Sequence, residues 1–148
     1  MVEDLIQREI VIEASRDRVW AVLTEAKHIA GWFGDASAEV DLRPGGKAAF
    51  SWKEHGTHRA IVQQAEPPEF FSYRWARGTD VEPAEGTSTL VEFTLTEVPA
   101  GTLLRVVETG FASLHASPAE QAQAATENIQ GWTAELAELK EYAEQSAV

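Results

Sequence analysis

Glu108 is the residue of this chain best placed to do chemistry. It follows Leu104 and Val106 at a spacing of two, so on a strand over residues 102–109 all three share one face. That face is apolar, and the carboxylate is expected to point inward. Burial raises a carboxyl pKa and demands a partner. Two readings follow. Glu108 orients a polar ligand group or moves a proton, or it sits at a rim or in a buried pair with Arg59 or Arg105. Tyr73 and His58 are the accompanying proton-transfer candidates. The histidines offer little else. His55 and His58 bracket Gly56 in a tight connection, and Glu54 alone does not complete a tetrahedral site, so no metal is expected. His115 precedes a helix cap, near the mouth of any cavity, and His28 is expected on an exposed turn. Ser51, Ser113 and Ser117 lie in no G-x-S-x-G elbow, and Gly45-Gly46 opens a hairpin rather than a helix. Nothing calls for a cofactor.

A second constellation is aromatic. Trp32, Phe33, Phe50, Trp52, Phe71, Tyr73, Trp75, Phe93, Phe111 and Trp132 fall on faces expected to turn inward. Such a set either walls an apolar ligand pocket or fills a core, because aromatics dominate both. Large indoles leave gaps, and their N–H groups need partners. Gly131, beside Trp132, stands inside a helix where glycine costs about 1 kcal/mol relative to alanine. It is either a notch that admits a ligand or a point where the sheet or the Phe111 loop comes close.

These residues need elements to hold them. Ser117-Pro118-Ala119-Glu120 reads as a capping box with proline at the first helical position. Behind it Ala125, Ile129, Trp132, Leu136, Leu139 and Ala143 repeat at intervals of 4, 3, 4, 3 and 4, an apolar stripe on a helix over residues 118–145. Glu127, Gln130, Glu138, Glu141 and Glu144 are expected to face water. Strands are expected at 7–14, 38–42, 47–53, 58–65, 70–76, 87–98 and 102–109. Ser15 caps a short helix over 16–24, and 27–33 adds a further turn or two. Strands segregated from helices and joined by tight turns predict an α+β fold with an antiparallel sheet.

Composition narrows the partners. The chain has 148 residues, suited to one domain over 1–148, with 44% hydrophobic residues and a formal net charge of −12. That charge speaks against nucleic acid and against an anionic membrane surface. The absence of cysteine excludes disulfides and thiol chemistry. No apolar run reaches the ~20 residues of a membrane span, and the first residues do not read as a signal peptide, so a cytoplasmic location is expected. The acidic stretch from Asp80 to Glu85 reads as a solvated loop or a site for a basic partner.

Residues 15–24 (SRDRVWAVLT) with Trp32-Phe33, the DLRPGG turn from Asp41 to Gly46, Pro67-Pro68 through Trp75, Gly101 through Phe111, and Gly131-Trp132 together resemble the activator of Hsp-90 ATPase homologue-like family. That family belongs to the START-like, or SRPBCC, superfamily. The resemblance implies a helix-grip fold, with a seven-stranded antiparallel sheet curled around the long C-terminal helix. It also implies a cavity between them for a hydrophobic small molecule, aromatic or lipid-like. Ligand contacts are then expected from Trp32, Phe33, Phe50, Trp52, Tyr73, Trp75, Phe93, Glu108, Phe111, Ile129 and Trp132. Two alternatives stand beside binding: a cyclase- or hydrolase-type enzyme using the same cavity, and an activator of a chaperone ATPase or stress-response interaction protein. Monomer and homodimer are both open.

Overall fold

Alternating apolar and polar side chains make seven strands. They are β1 (Leu5–Ile12), β2 (Ser37–Val40), β3 (Lys47–Trp52), β4 (Gly56–Glu66), β5 (Phe70–Ala76), β6 (Ser88–Val98) and β7 (Gly101–Thr109). The computed structural model describes residues 5–33, 37–52, 56–76, 81–84 and 86–145, with the Trp52 side chain outside that set. The strands form one sheet in the order β1-β7-β6-β5-β4-β3-β2, every pairing antiparallel. The chain thus meanders from β2 to β7, and β1 closes the far edge. Between β1 and β2 lie α1 (Arg16–Thr24) and α2 (Ala26–Trp32), and the chain ends in α3 (Pro118–Gln145).

The caps explain where helices start. Ser15 Oγ accepts the Arg18 N–H (3.1 Å) at the start of α1. At α3 the box closes both ways. Ser117 Oγ accepts from the Glu120 N–H (3.1 Å), and a Glu120 oxygen accepts from the Ser117 N–H (3.2 Å). Those bonds hold the Glu120 carboxyl below its ordinary pKa.

Several expected boundaries move, for visible reasons. β1 runs over Leu5–Ile12, not 7–14, because Ala14 N–H turns back to the Ile12 carbonyl (2.9 Å) on the way into the Ser15 cap. β2 spans Ser37–Val40 rather than 38–42. Asp41 N–H bonds Lys47 O (3.0 Å) and Gly46 N–H bonds Arg43 O (2.8 Å), which draws Asp41 and Leu42 into the turn. Only glycine fits at 46: a side-chain carbon there would lie 2.0 Å from the Asp41 carbonyl oxygen. β4 starts at Gly56, two residues before the expected His58. His28 is not on an exposed turn. It lies half-buried in α2, where its Nδ1 is 2.8 Å from the Tyr142 hydroxyl of α3. Burial, with Arg18 nearby, lowers its pKa.

One face of the sheet is apolar. Along β6, Val91, Phe93 and Leu95 are buried, whereas Thr94 and Thr96 are exposed. α3 contributes Ala124, Ala125, Trp132, Leu136, Leu139 and Ala143 to the same core. Ile129, expected in the stripe, is only half-buried. Glu144, expected in water, is half-buried too. It accepts the Glu13 N–H (2.8 Å) and pairs with Lys140, and this fastens the end of α3 beside β1.

Candidate functional site

Glu108 lies near the end of β7 with its side chain on the core face, 1% exposed. Thr89 shares that face on β6, because Val91 pairs with Glu108 and Thr89 is two residues away. Its hydroxyl donates to Glu108 Oε2 at 2.5 Å. From α3, the Asn128 amide nitrogen donates to both carboxyl oxygens at 3.0 Å, and the Trp132 indole N–H donates to Oε1 at 2.8 Å. Each oxygen therefore accepts twice, which uses the four lone-pair sites a carboxylate offers. The bonds cross from sheet to helix. They fix where Trp132 and Asn128 point, and they satisfy a carboxyl that would otherwise be costly to bury. Arg105 is on the opposite face of β7 and pairs with Glu9 (2.7 Å), while Arg59 sits 3.9 Å from Glu82.

Beside this network is a cavity of about 100 Å³, lined by Phe33, Trp75, Glu108, Asn128, Gly131, Trp132 and Glu135. Phe33 and Trp132 lie parallel in its wall, with ring centroids 6.1 Å apart and planes 5° apart. Trp75 packs against Phe33 at 5.7 Å. Gly131 is exposed and forms part of the mouth, and a side-chain carbon built on it meets nothing within 4 Å. Among the described residues, no close approach of sheet or loop accounts for this glycine.

Glu135 contrasts with Glu108. It is half-buried, and its buried Oε2 finds no hydrogen-bond donor among the described residues. Burial, with Glu138 adding like charge, raises its pKa to about 7. Tyr73 lies deeper. Burial first, then the Glu108 and Glu135 carboxyls, push its hydroxyl well above the ordinary value, so it stays protonated and does not serve as a base near neutrality.

The sequence candidates separate into groups. Phe33, Trp75, Glu108 and Trp132 meet at the open cavity. Trp32, Phe33, Phe50, Tyr73 and Phe93, with Leu23 and Ile29, surround a residual space of only about 10 Å³, so this part of the aromatic set is packed solid. Trp32 donates its indole N–H to Val22 O (2.9 Å), which ties α2 to α1. Phe111 is fully buried in the turn before α3, and Ile129 packs at the edge of the core; neither lines the cavity. His58 stacks on Trp75 (5.5 Å, 7°). His115 lines a separate surface groove with Gly86 and Glu120, not the mouth beside Glu108. The Trp52 side chain, Glu54, His55, Asp80 and Glu85 lie outside the described residues.

Sequence reasoning misses Thr89, Asn128 and Glu135. A signal for the last two exists. Residues 128, 131, 132 and 135 repeat at i, i+3, i+4 and i+7, one helix face, which places Asn128 and Glu135 in line with Gly131 and Trp132.

An antiparallel seven-stranded sheet gripping a long C-terminal helix, with two short helices after the first strand, is the START-like helix-grip fold. Within that class the chain belongs to the family described as activator of Hsp90 ATPase homolog 1-like protein, which matches residues 13–144. Among solved structures it is similar to protein MLL2253 from Mesorhizobium loti, at 24% identity and TM-score 0.80, covering 97% of this chain and 99% of that one. It is also similar to the Aha1 dimer from Colwellia psychrerythraea, at 20% identity and TM-score 0.72, covering 96% and 97%. DynU16, from the dynemicin biosynthetic locus, aligns at 22% identity and TM-score 0.76, covering 98% of this chain and 49% of that one. A search of curated proteins finds no match. Among the described residues, no helix is long and apolar enough to cross a membrane.

Proposed function

We propose that this protein binds a small hydrophobic molecule, of about one aromatic ring, between α3 and the sheet. The observation that carries this reading is the cavity of about 100 Å³ with Phe33, Trp75 and Trp132 as walls and Gly131 at its mouth. Glycine weakens a helix by about 1 kcal/mol, and no neighbour among the described residues requires it here. What it preserves is access. The volume falls below the ~300–1,000 Å³ of drug-sized pockets and nearer the ~150 Å³ cavity that holds benzene, so a single ring fits better than a lipid chain. Hydrophobic ligand binding is common in the family, which supports the same reading.

Catalysis by Glu108 has weaker support, since its oxygens are already occupied by Thr89, Asn128 and Trp132. Its role in this reading is to hold the indole wall in place.

The test is to close the mouth. Gly131→Leu adds a side chain where there is room and restores helix propensity, so the variant should fold and melt no lower than the parent. Tryptophan fluorescence and melting temperature are followed against single-ring apolar compounds, toluene and indole among them. The parent should respond saturably to at least one, and Gly131→Leu should lose at least tenfold in affinity. Equal binding by both proteins would show that the ligand does not enter beside Gly131.

A further inference from the structure

The polar groups of the cavity are unevenly matched. Asn128 and Trp132 bring donors, but both are engaged by Glu108. The Asn128 amide nitrogen reaches both Glu108 oxygens, and its carbonyl oxygen adds an acceptor to the lining. Glu135 adds a further acceptor, Oε2, buried and with no donor among the described residues. The lining contains two carboxyl groups, and among its described residues no lysine or arginine. A buried acceptor without a donor is unfavourable, so among the described residues the site is short of one donor.

The apolar part of the lining points the same way. Phe33 and Trp132 present parallel ring faces, and Trp75 packs alongside. Aromatic faces carry negative charge density and attract a desolvated cation. The chain as a whole carries a net charge of −12, which raises the local concentration of cations around any opening.

We propose that the cavity takes a small aromatic amine, with its ammonium group donating to Glu135 Oε2 and its ring held among Phe33, Trp75 and Trp132. The proposal rests on the small-molecule reading above and names the chemical class. It gives a partner, one that arrives with the ligand, to a carboxyl oxygen that has no donor among the described residues at the edge of an apolar site. It also accounts for Glu108. Saturated by its own donors, that carboxyl contributes negative potential and a fixed indole, and does not compete for the ligand's protons. The raised pKa of Glu135 is consistent, since a bound cation supplies the charge that allows the carboxyl to ionise in place.

Three probes of one shape separate the possibilities: benzylamine, benzyl alcohol and toluene. Binding is followed at pH 8 through the indole N–H resonance of Trp132 in proton–nitrogen correlation spectra, with the other indole resonances reporting that the fold is intact. Benzylamine should bind at least tenfold more tightly than either neutral probe. In Glu135→Gln that preference should collapse to within about threefold. Neutral probes binding as tightly as benzylamine, or a preference that survives Glu135→Gln, would overturn the amine assignment and leave the apolar cavity standing. A Trp132 resonance that shifts with none of the probes would overturn both readings together.

Discussion

Two regions of the interior lie side by side and are built to different ends. Under α2, Trp32, Phe50, Tyr73 and Phe93 interlock around a space of about 10 Å³. Along the middle of α3, Phe33, Trp75 and Trp132 stand around about 100 Å³. Both are aromatic, and Phe33 belongs to both. The difference is in what surrounds the rings. The closed region has a helix lid, with Trp32 pinned by its bond to Val22 O. The open region has a glycine where the helix could have supplied a side chain, and two carboxyls, one satisfied and one with an oxygen that meets no donor among the described residues. Aromatic content alone therefore does not mark a site; missing volume and unmatched polarity do.

If the closed region is structural, truncating it should be the most damaging change. Phe93 packs against Phe71 (stacked), Tyr73 (tilted) and Trp132 (edge-on) at 5.6–6.1 Å between ring centroids and is 1% exposed. Phe93→Ala should lower unfolding free energy by about 3–5 kcal/mol in urea or guanidinium titrations. A loss under 1 kcal/mol would mean that this region is as loosely packed as its neighbour.

The satisfied carboxyl comes next. Glu108→Leu keeps bulk but leaves the Thr89 hydroxyl, the Asn128 amide and the Trp132 indole without their acceptor. The expected loss is about 2–4 kcal/mol, each stranded donor being unfavourable by ~1–3 kcal/mol and some finding water. The Trp132 indole N–H resonance should also move, because its acceptor is gone. An unchanged resonance would show that Glu108 does not position the ring.

Much of this was legible in the residues, and the illegible part has a physical cause. The capping box at Ser117, the 4-3-4 stripe and the inward face of Glu108 depend on local periodicity, which a sequence displays directly. Register does not. Arg105, three residues from Glu108, falls on the opposite face of β7, but that Thr89 of β6 meets Glu108 depends on the pairing of Val91 with Glu108. The strand shifts at β1 and β2 came from backbone bonds at Ala14 and Asp41 that no side-chain pattern announces. Most of all, packing density is a difference between volumes. Nothing in the residue types distinguishes Phe50, locked in the filled half, from Trp75, at the open one. Glu135 escaped notice because a polar residue on a helix is ordinarily taken as solvent-facing, whereas here it borders the stripe at a place where the stripe has a hole.

Glu135 also gives the smallest and sharpest test, because its opposite number shows what a satisfied carboxyl looks like in the same wall. Its pKa is raised from 4.5 to about 7, chiefly by burial and then by Glu138 on its own helix. From the sheet, Glu108 on β7 and Tyr73 on β5 face the same interior. A raised carboxyl pKa means the folded protein holds this proton more tightly than the unfolded chain does. Stability from this group is therefore full below about pH 4.5, declines as pH rises towards about 7, and is level above that. Glu135→Gln has no proton to lose. It should match the parent at pH 4 and exceed it at pH 8, by about 1 kcal/mol once the open side of the cavity is allowed for. Urea midpoints at the two pH values measure the difference directly. A gap that is the same at both would mean that Glu135 is already paired or fully hydrated, and the contrast between the two carboxyls would be lost. Adding benzylamine at pH 8 should narrow the gap, because a cation in the cavity stabilises the parent and does little for the variant.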